Sequence, residues 1–169
     1  MKLIILGAGG HGQVVADLAR QTGRYEEVLF LDDKAEGSDV VGTCVNYVRF
    51  QNQDIEMYPA FGNNAGRIQW ENKILDAGIT LATIIHPLAY VSPRAEIAAG
   101  CVIMPYAVVN TGTILKKACI VNIGALVDHD CILEEGCHLA PGAVVKGENH
   151  LPEGTKVDSG QVVPLQYYK

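Results

Sequence analysis

The chain has 169 residues, a formal net charge of −6 and a pI near 5.3, enough for one ordinary domain or for a small domain joined to a repeat array. The acidic balance, with no cluster of Lys and Arg, argues against nucleic acid or an anionic membrane surface as the main partner. No apolar run approaches the ~20 residues of a membrane span, and the run after Lys2 is too short and glycine-broken for a signal peptide, so a cytoplasmic protein is expected.

Leu3 to Leu6 predict a buried strand that ends in Gly7-Ala8-Gly9-Gly10-His11-Gly12. Val14, Val15, Leu18 and Ala19 follow at helical spacing, and Gly23 stops the helix. A strand, glycine turn and helix in this order let backbone amides and the helix dipole meet an anion. Val28 to Leu31 read as a second buried strand ending in Asp32 and Asp33, at the distance where a dinucleotide fold places an acid on a ribose. Residues 34–58 have no period and read as loop, with one strand as an option. Asn63-Asn64 are positioned to cap a helix whose Ala65, Ile68 and Leu75 share a face and whose end is Gly78. Ile79 to Ile85 complete a Rossmann-like βαβ half over residues 1–84. One such half suits a nucleotide better than NAD. Gly9, Gly10, His11 and Gly12 are expected to hold a diphosphate, and Asp32 or Asp33 to accept from base or ribose.

From Ile85 onward every sixth residue is aliphatic, fourteen times, ending at Val163. Four places after each aliphatic the residue is mostly small, including Ala89, Ala95, Cys101, Ala107 and Ala125. This hexapeptide repeat predicts that residues 85–169 form an all-β, left-handed parallel β-helix, with aliphatics in the corners of a three-sided prism and residues eighteen apart stacked. Four of the five cysteines (Cys101, Cys119, Cys131, Cys137) hold the small inward position and are expected to be reduced core residues. No C-x-x-C pair or closely spaced Cys/His set occurs, so no metal is expected.

Among the histidines, His86 reads as a corner residue and His150 as part of a polar turn. His129 leaves the wall between Asp128 and Asp130, where an imidazole suits general-base work near neutral pH. Strand alternation would turn both acids to the side opposite His129. His138, nine residues on, lies by a corner and reaches the same cleft if a neighbouring subunit forms one wall. Prism faces are flat while small-molecule sites are concave, so a homotrimer with clefts between solenoids is expected.

Taken together, Gly7 to Gly12, Leu31-Asp32-Asp33, Gly62-Asn63-Asn64, Ile85-His86-Pro87, Asn122 to Ala125, His129-Asp130-Cys131 and His138 to Gly142 give a chain that resembles bacterial hexapeptide-repeat sugar acetyltransferases. The resemblance runs over nearly the whole length. It implies an N-terminal domain that binds a UDP-sugar, through the glycine string, Asp32, Asp33 and Asn63, and a β-helix that binds acetyl-CoA between subunits. It implies acetyl transfer to a sugar amine, with His129 as base and Asp130 orienting it. Asn122 and His138 would line the cofactor side, with the Gly147 amide facing the oxyanion. Two alternatives stand beside this reading: O-acetylation of sialic acid or another sugar, and a non-catalytic nucleotide-sugar-binding trimer. The final hexads depart from the pattern, with Asn149 and Gln161 at small positions, which points to weaker hold on the cofactor's nucleotide end or to a different acyl donor.

Overall fold

Leu3, Ile4, Ile5 and Leu6 have no exposed surface in a computed structural model that describes Met1–Lys169. They belong to β1 (Lys2–Leu6), which pairs in parallel with β2 (Glu27–Leu31) on one side and β3 (Ile55–Pro59) on the other. A strand buried on both faces must be apolar throughout, which is why this run does not alternate. A fourth strand, β4 (Thr80–Leu81), pairs with β3, giving the order β2-β1-β3-β4. The connections are α1 (Gly10–Gln21) and α2 (Asn64–Asp76). These elements make a unit, Met1–Ala82, and the remainder, Thr83–Lys169, makes a second. No helix is long and apolar enough to cross a membrane.

Three features of the first unit differ from the sequence reading. The run from Ile79 to Ile85 is two strands: β4 joins the first sheet, while Ile84–Ile85 pairs with Val102–Ile103 in the second unit. Residues 34–58 hold a 3-10 helix, Cys44–Phe50, besides β3. The buried face of α2 carries Arg67, Glu71 and Ile74, whereas Leu75 is 44% exposed. The reason is polar: the Arg67 guanidinium donates to the Phe61 carbonyl (3.0 Å) and Asn64 Oδ1 (3.0 Å), tying the loop after β3 to the helix. A buried charge is tolerated only with such partners.

The second unit is a left-handed parallel β-helix of fourteen two-residue strands. Its first face stacks Ile84–Ile85, Val102–Ile103, Ile120–Val121, His138–Leu139 and Lys156–Val157. The second stacks Tyr90–Val91, Val108–Val109, Leu126–Val127, Val144–Val145 and Val162–Val163. The third stacks Glu96–Ile97, Ile114–Leu115, Ile132–Leu133 and His150–Leu151. The second residue of every strand is the hexad aliphatic, and from Ile103 on these are at most 4% exposed. All five cysteines are free and buried. Asn149 does not loosen the array. Its Nδ2 donates to the carbonyls of Lys146 (2.7 Å) and Pro164 (2.9 Å), and its Oδ1 accepts from Tyr168 N (2.9 Å). Tyr168 in turn accepts from His150 N, so residues 164–168 are stacked on the coil that carries Asn149 and His150.

Candidate active site and nucleotide cradle

In the first unit the loops after β1, β2 and β3 meet at the carboxyl edge of the sheet, where open α/β sheets bind ligands. Gly12 packs directly on the Gly7 carbonyl, where a Cβ would collide with the backbone oxygen. That contact brings the start of α1 against β1 and leaves Gly9 and Gly10 open to solvent. Asp32 organises this loop: Oδ2 accepts from Ala8 N (2.7 Å), and Oδ1 accepts from Lys34 N and Ala35 N (2.8 Å each). These backbone donors hold its carboxyl below the usual range. The acid that the spacing assigns to a ribose is thus engaged with backbone. Asp33 accepts from Cys44 N (2.8 Å) and, with Asp32, lines a cavity of about 380 Å³ together with Lys34, Gly42 and Thr43.

His11 is mostly buried, with Nε2 shielded from solvent and without a partner, and its ring stands edge-on to Tyr58 at 6.3 Å. Burial, with the nearby Arg67 charge, lowers its pKa to about 4, so it is neutral at neutral pH. An anion at this loop would therefore be met by backbone amides and not by an imidazolium. Asn63 is the N-cap of α2, accepting from Gly66 N at 2.7 Å. Sequence reasoning did not single out Lys34, Gly42 or Thr43. The usable signal was Thr43 and Asn46, three apart, where Asn46 Oδ1 accepts from Thr43 N (3.0 Å) to start the 3-10 turn.

In the second unit His129 sits in the turn between Leu126–Val127 and Ile132–Leu133, with its side chain 41% exposed. Alternation does not govern this turn. Asp130 takes a left-handed φ of 53°, which brings its Oδ2 to 2.9 Å from His129 Nδ1. Its carboxylate passes over Gly112, where a Cβ would strike Asp130 Oδ1. The expected separation of Asp130 from the imidazole is thus corrected: the corner turns the acid back. Hydrogen bonding to Asp130 raises the His129 pKa, with Asp128, Asp130 and Glu148 adding to it through their charge. Asp128 accepts from His129 N (2.8 Å) and Asn110 Nδ2 (3.1 Å), and its carboxyl is held low by those bonds and by the Gly147 amide. Gly147 lies against the imidazole ring, so its amide serves Asp128 and its bareness makes room for His129.

Beside this turn the second face carries a cavity of about 350 Å³, floored by Val108, Leu126 and Val144 and edged by Asn110, Asp128 and Lys146. His138 and Asn122 are elsewhere. His138 opens a strand of the first face, and Asn122 Nδ2 lies 3.3 Å from its Nε2. They flank the corner between the first and second faces, whereas His129 occupies the corner between the second and third. His150 Nε2 is 2.6 Å from Glu134 Oε1, and His86 Nδ1 accepts from Leu88 N at 3.0 Å. No group of three or more His, Cys, Asp or Glu side chains converges as a metal site would require.

The PglD N-terminal domain family matches residues 2–74. A UDP-N-acetylbacillosamine N-acetyltransferase of Bacillus subtilis (strain 168) is 33% identical over 105 residues, 58% of this chain and 49% of that protein, so the match spans about half of the curated relative. Among solved structures, the acetyltransferase domain of PglB from Neisseria gonorrhoeae FA1090 in complex with acetyl coenzyme A is 41% identical. It superposes with a TM-score of 0.94 over 98% of this chain and 82% of its own. A variant of the perosamine N-acetyltransferase from Caulobacter crescentus, in complex with CoA and GDP-perosamine, is 28% identical. Its TM-score is 0.89, over 97% of this chain and 89% of that one.

Proposed function

The chain belongs to the bacterial hexapeptide-repeat sugar acetyltransferase family, and on that premise we propose that it transfers acetyl from acetyl-CoA to the amino group of a UDP-linked amino sugar. The observation that carries the reading is the His129–Asp130 pair on a β-helix corner, in a chain 41% identical to an acetyltransferase domain solved with acetyl-CoA. Asp130 accepts from Nδ1–H, which leaves Nε2 of His129 as the proton acceptor. As the sugar nitrogen attacks the thioester carbonyl, Nε2 takes its proton, the C–S bond breaks, and the imidazolium returns the proton to the leaving thiolate. The thioester is already activated, so no covalent enzyme intermediate is required. Positioning supplies much of the rate.

In the first unit the α1 N-terminus and its glycines are assigned to the diphosphate, and the cavity at Asp33, Lys34 and Thr43 to the nucleoside. The relative named for a UDP sugar supports uridine, while a more distant one was solved with a GDP sugar. Acetyl-CoA and five unpaired thiols fit a cytoplasmic setting. A homotrimer is proposed because one chain keeps His129 and His138 at different corners, flanking a second face with exposed Tyr90 (55%), Leu126 (39%) and Val162 (48%). A neighbouring copy would bring the two corners together.

The test is thiol release from acetyl-CoA with UDP- and GDP-linked amino sugars, alongside melting temperature with UDP, GDP and CoA. Faster release with a UDP-amino sugar and a melting shift with both UDP and CoA are expected. A shift with UDP and none with CoA, with no thiol release, would replace the enzyme by a binding module.

A further inference from the structure

In the β-helix five residues other than glycine adopt left-handed φ, and three are in one corner: Asp130 (53°), Glu148 (57°) and Gln166 (52°). At the matching places of the other two corners the residues are mostly glycines: Gly124, Gly142 and Gly160 in one, Gly100, Gly136 and Gly154 in the other. A side chain in this region is strained, and such strain persists where something needs the side chain. The three are stacked, one per coil. Glu148 N donates to the His129 carbonyl (3.0 Å), and Gln166 N donates to the Gly147 carbonyl (3.4 Å). Gln166 Nε2 donates to the Glu148 carboxylate. Asn149 then fastens the segment carrying Gln166 through its bonds to Pro164 and Tyr168.

We propose that Glu148, braced by Gln166, is a positioning residue for His129: its backbone bond to the His129 carbonyl fixes the turn above the imidazole and holds a carboxylate in the coil next to it. The proposal rests on reading His129 as the base. Asp130 meets the ring directly, and the charges of Asp128 from the same turn and Glu148 from the turn above also act on it. Thr111 and Gly112, in the turn below, carry no charge. The hexad of Val145, where Asn149 breaks the small-residue pattern, thereby acquires a use: it ties Glu148 and residues 164–168 together behind His129.

The test uses the full chain with Glu148→Gln, Glu148→Gly and Gln166→Ala. Glycine suits the backbone at 148, so Glu148→Gly should fold with an unchanged or raised melting temperature. Titration of the His129 Cε1 proton by NMR, assigned with His129→Ala, should show a midpoint lower by about half a unit in both Glu148 variants. That is the scale of one charge acting across solvent. kcat should fall about tenfold in Glu148→Gly and less in Gln166→Ala, with KM for the sugar nucleotide unchanged, inside the roughly 10² that an ångström of misplacement can cost. A midpoint and kcat both unmoved in Glu148→Gly would overturn the proposal. Full activity in His129→Ala would remove the base assignment instead, while the NMR midpoint would still decide whether Glu148 acts on the ring.

Discussion

The ring of His129 lies against Gly147, eighteen residues on and one coil higher, so that a Cβ on Gly147 would stand 2.7 Å from His129 Nε2. The atom it would strike is the free end of a side chain, which can swing aside at little cost in stability. Gly147→Ala should therefore leave the melting temperature nearly unchanged while displacing the proposed base, and kcat should fall by roughly 10². Wild-type turnover in a folded Gly147→Ala protein would show that the ring's present place is not its working one.

Gly12 presents the opposite case. A Cβ there meets the Gly7 carbonyl oxygen, a backbone atom that can yield only if the junction of β1 and α1 opens. Gly12→Ala should destabilise the first unit by about 2 kcal/mol or more, as overpacking does, and should abolish any melting shift with UDP. Chemical denaturation with and without UDP measures both effects. Retained UDP protection would mean that the nucleotide is held without this loop.

The repeat was readable because one physical demand recurs at every corner: an aliphatic must fill it, and Val109, Val127, Val145 and Val163 all do so in a single stack. The glycine loop was readable for a similar reason, since Gly12 is required by contact and not by preference. What escaped was side-chain direction where the backbone leaves regular geometry. Strand alternation points Asp130 away from His129, yet a left-handed φ reverses it. Aspartate, unlike glycine, does not announce that φ in a sequence. The buried face of α2 departs from its apolar spacing because Arg67 is held inside by a loop carbonyl and Asn64, partners that no periodicity reveals. Asn149 departs from the repeat in sequence, and its bonds to residues 164–168 give that departure a structural use.

The His129–Asp130 pair fixes the sign of the pH dependence. Bonding to Asp130 holds the His129 pKa above its ordinary 6.5, and a base must be neutral to accept a proton. Activity should be lost as pH falls through that raised value, so the acid limb of kcat/KM lies above 6.5. Asp130→Asn, which tolerates the same backbone, should move the limb down. Stability runs the other way: the pair favours the folded state below the unfolded pKa and loses this as pH rises through the folded one. The melting deficit of Asp130→Asn should accordingly be larger at pH 6 than at pH 9. A limb that stays in place would detach Asp130 from the base.

His129 and His138 flank the second face of the β-helix from different corners, and the proposed trimer takes the two histidines of each cleft from different copies. Symmetry then makes a sharp expectation for mixed assemblies. In a closed trimer each of three clefts would take His129 from one chain and His138 from the next. His129→Ala and His138→Ala chains should each be impaired alone. Co-expressed in equal amounts, they should regain about one quarter of wild-type activity, because about one cleft in four receives both intact groups by random assembly. If each cleft were built from a single chain, every site in the mixture would lack one histidine and no activity would return. Sedimentation of the same mixture reports the assembly itself, so a trimer without recovery would retain the oligomer while assigning both histidines of each cleft to a single chain.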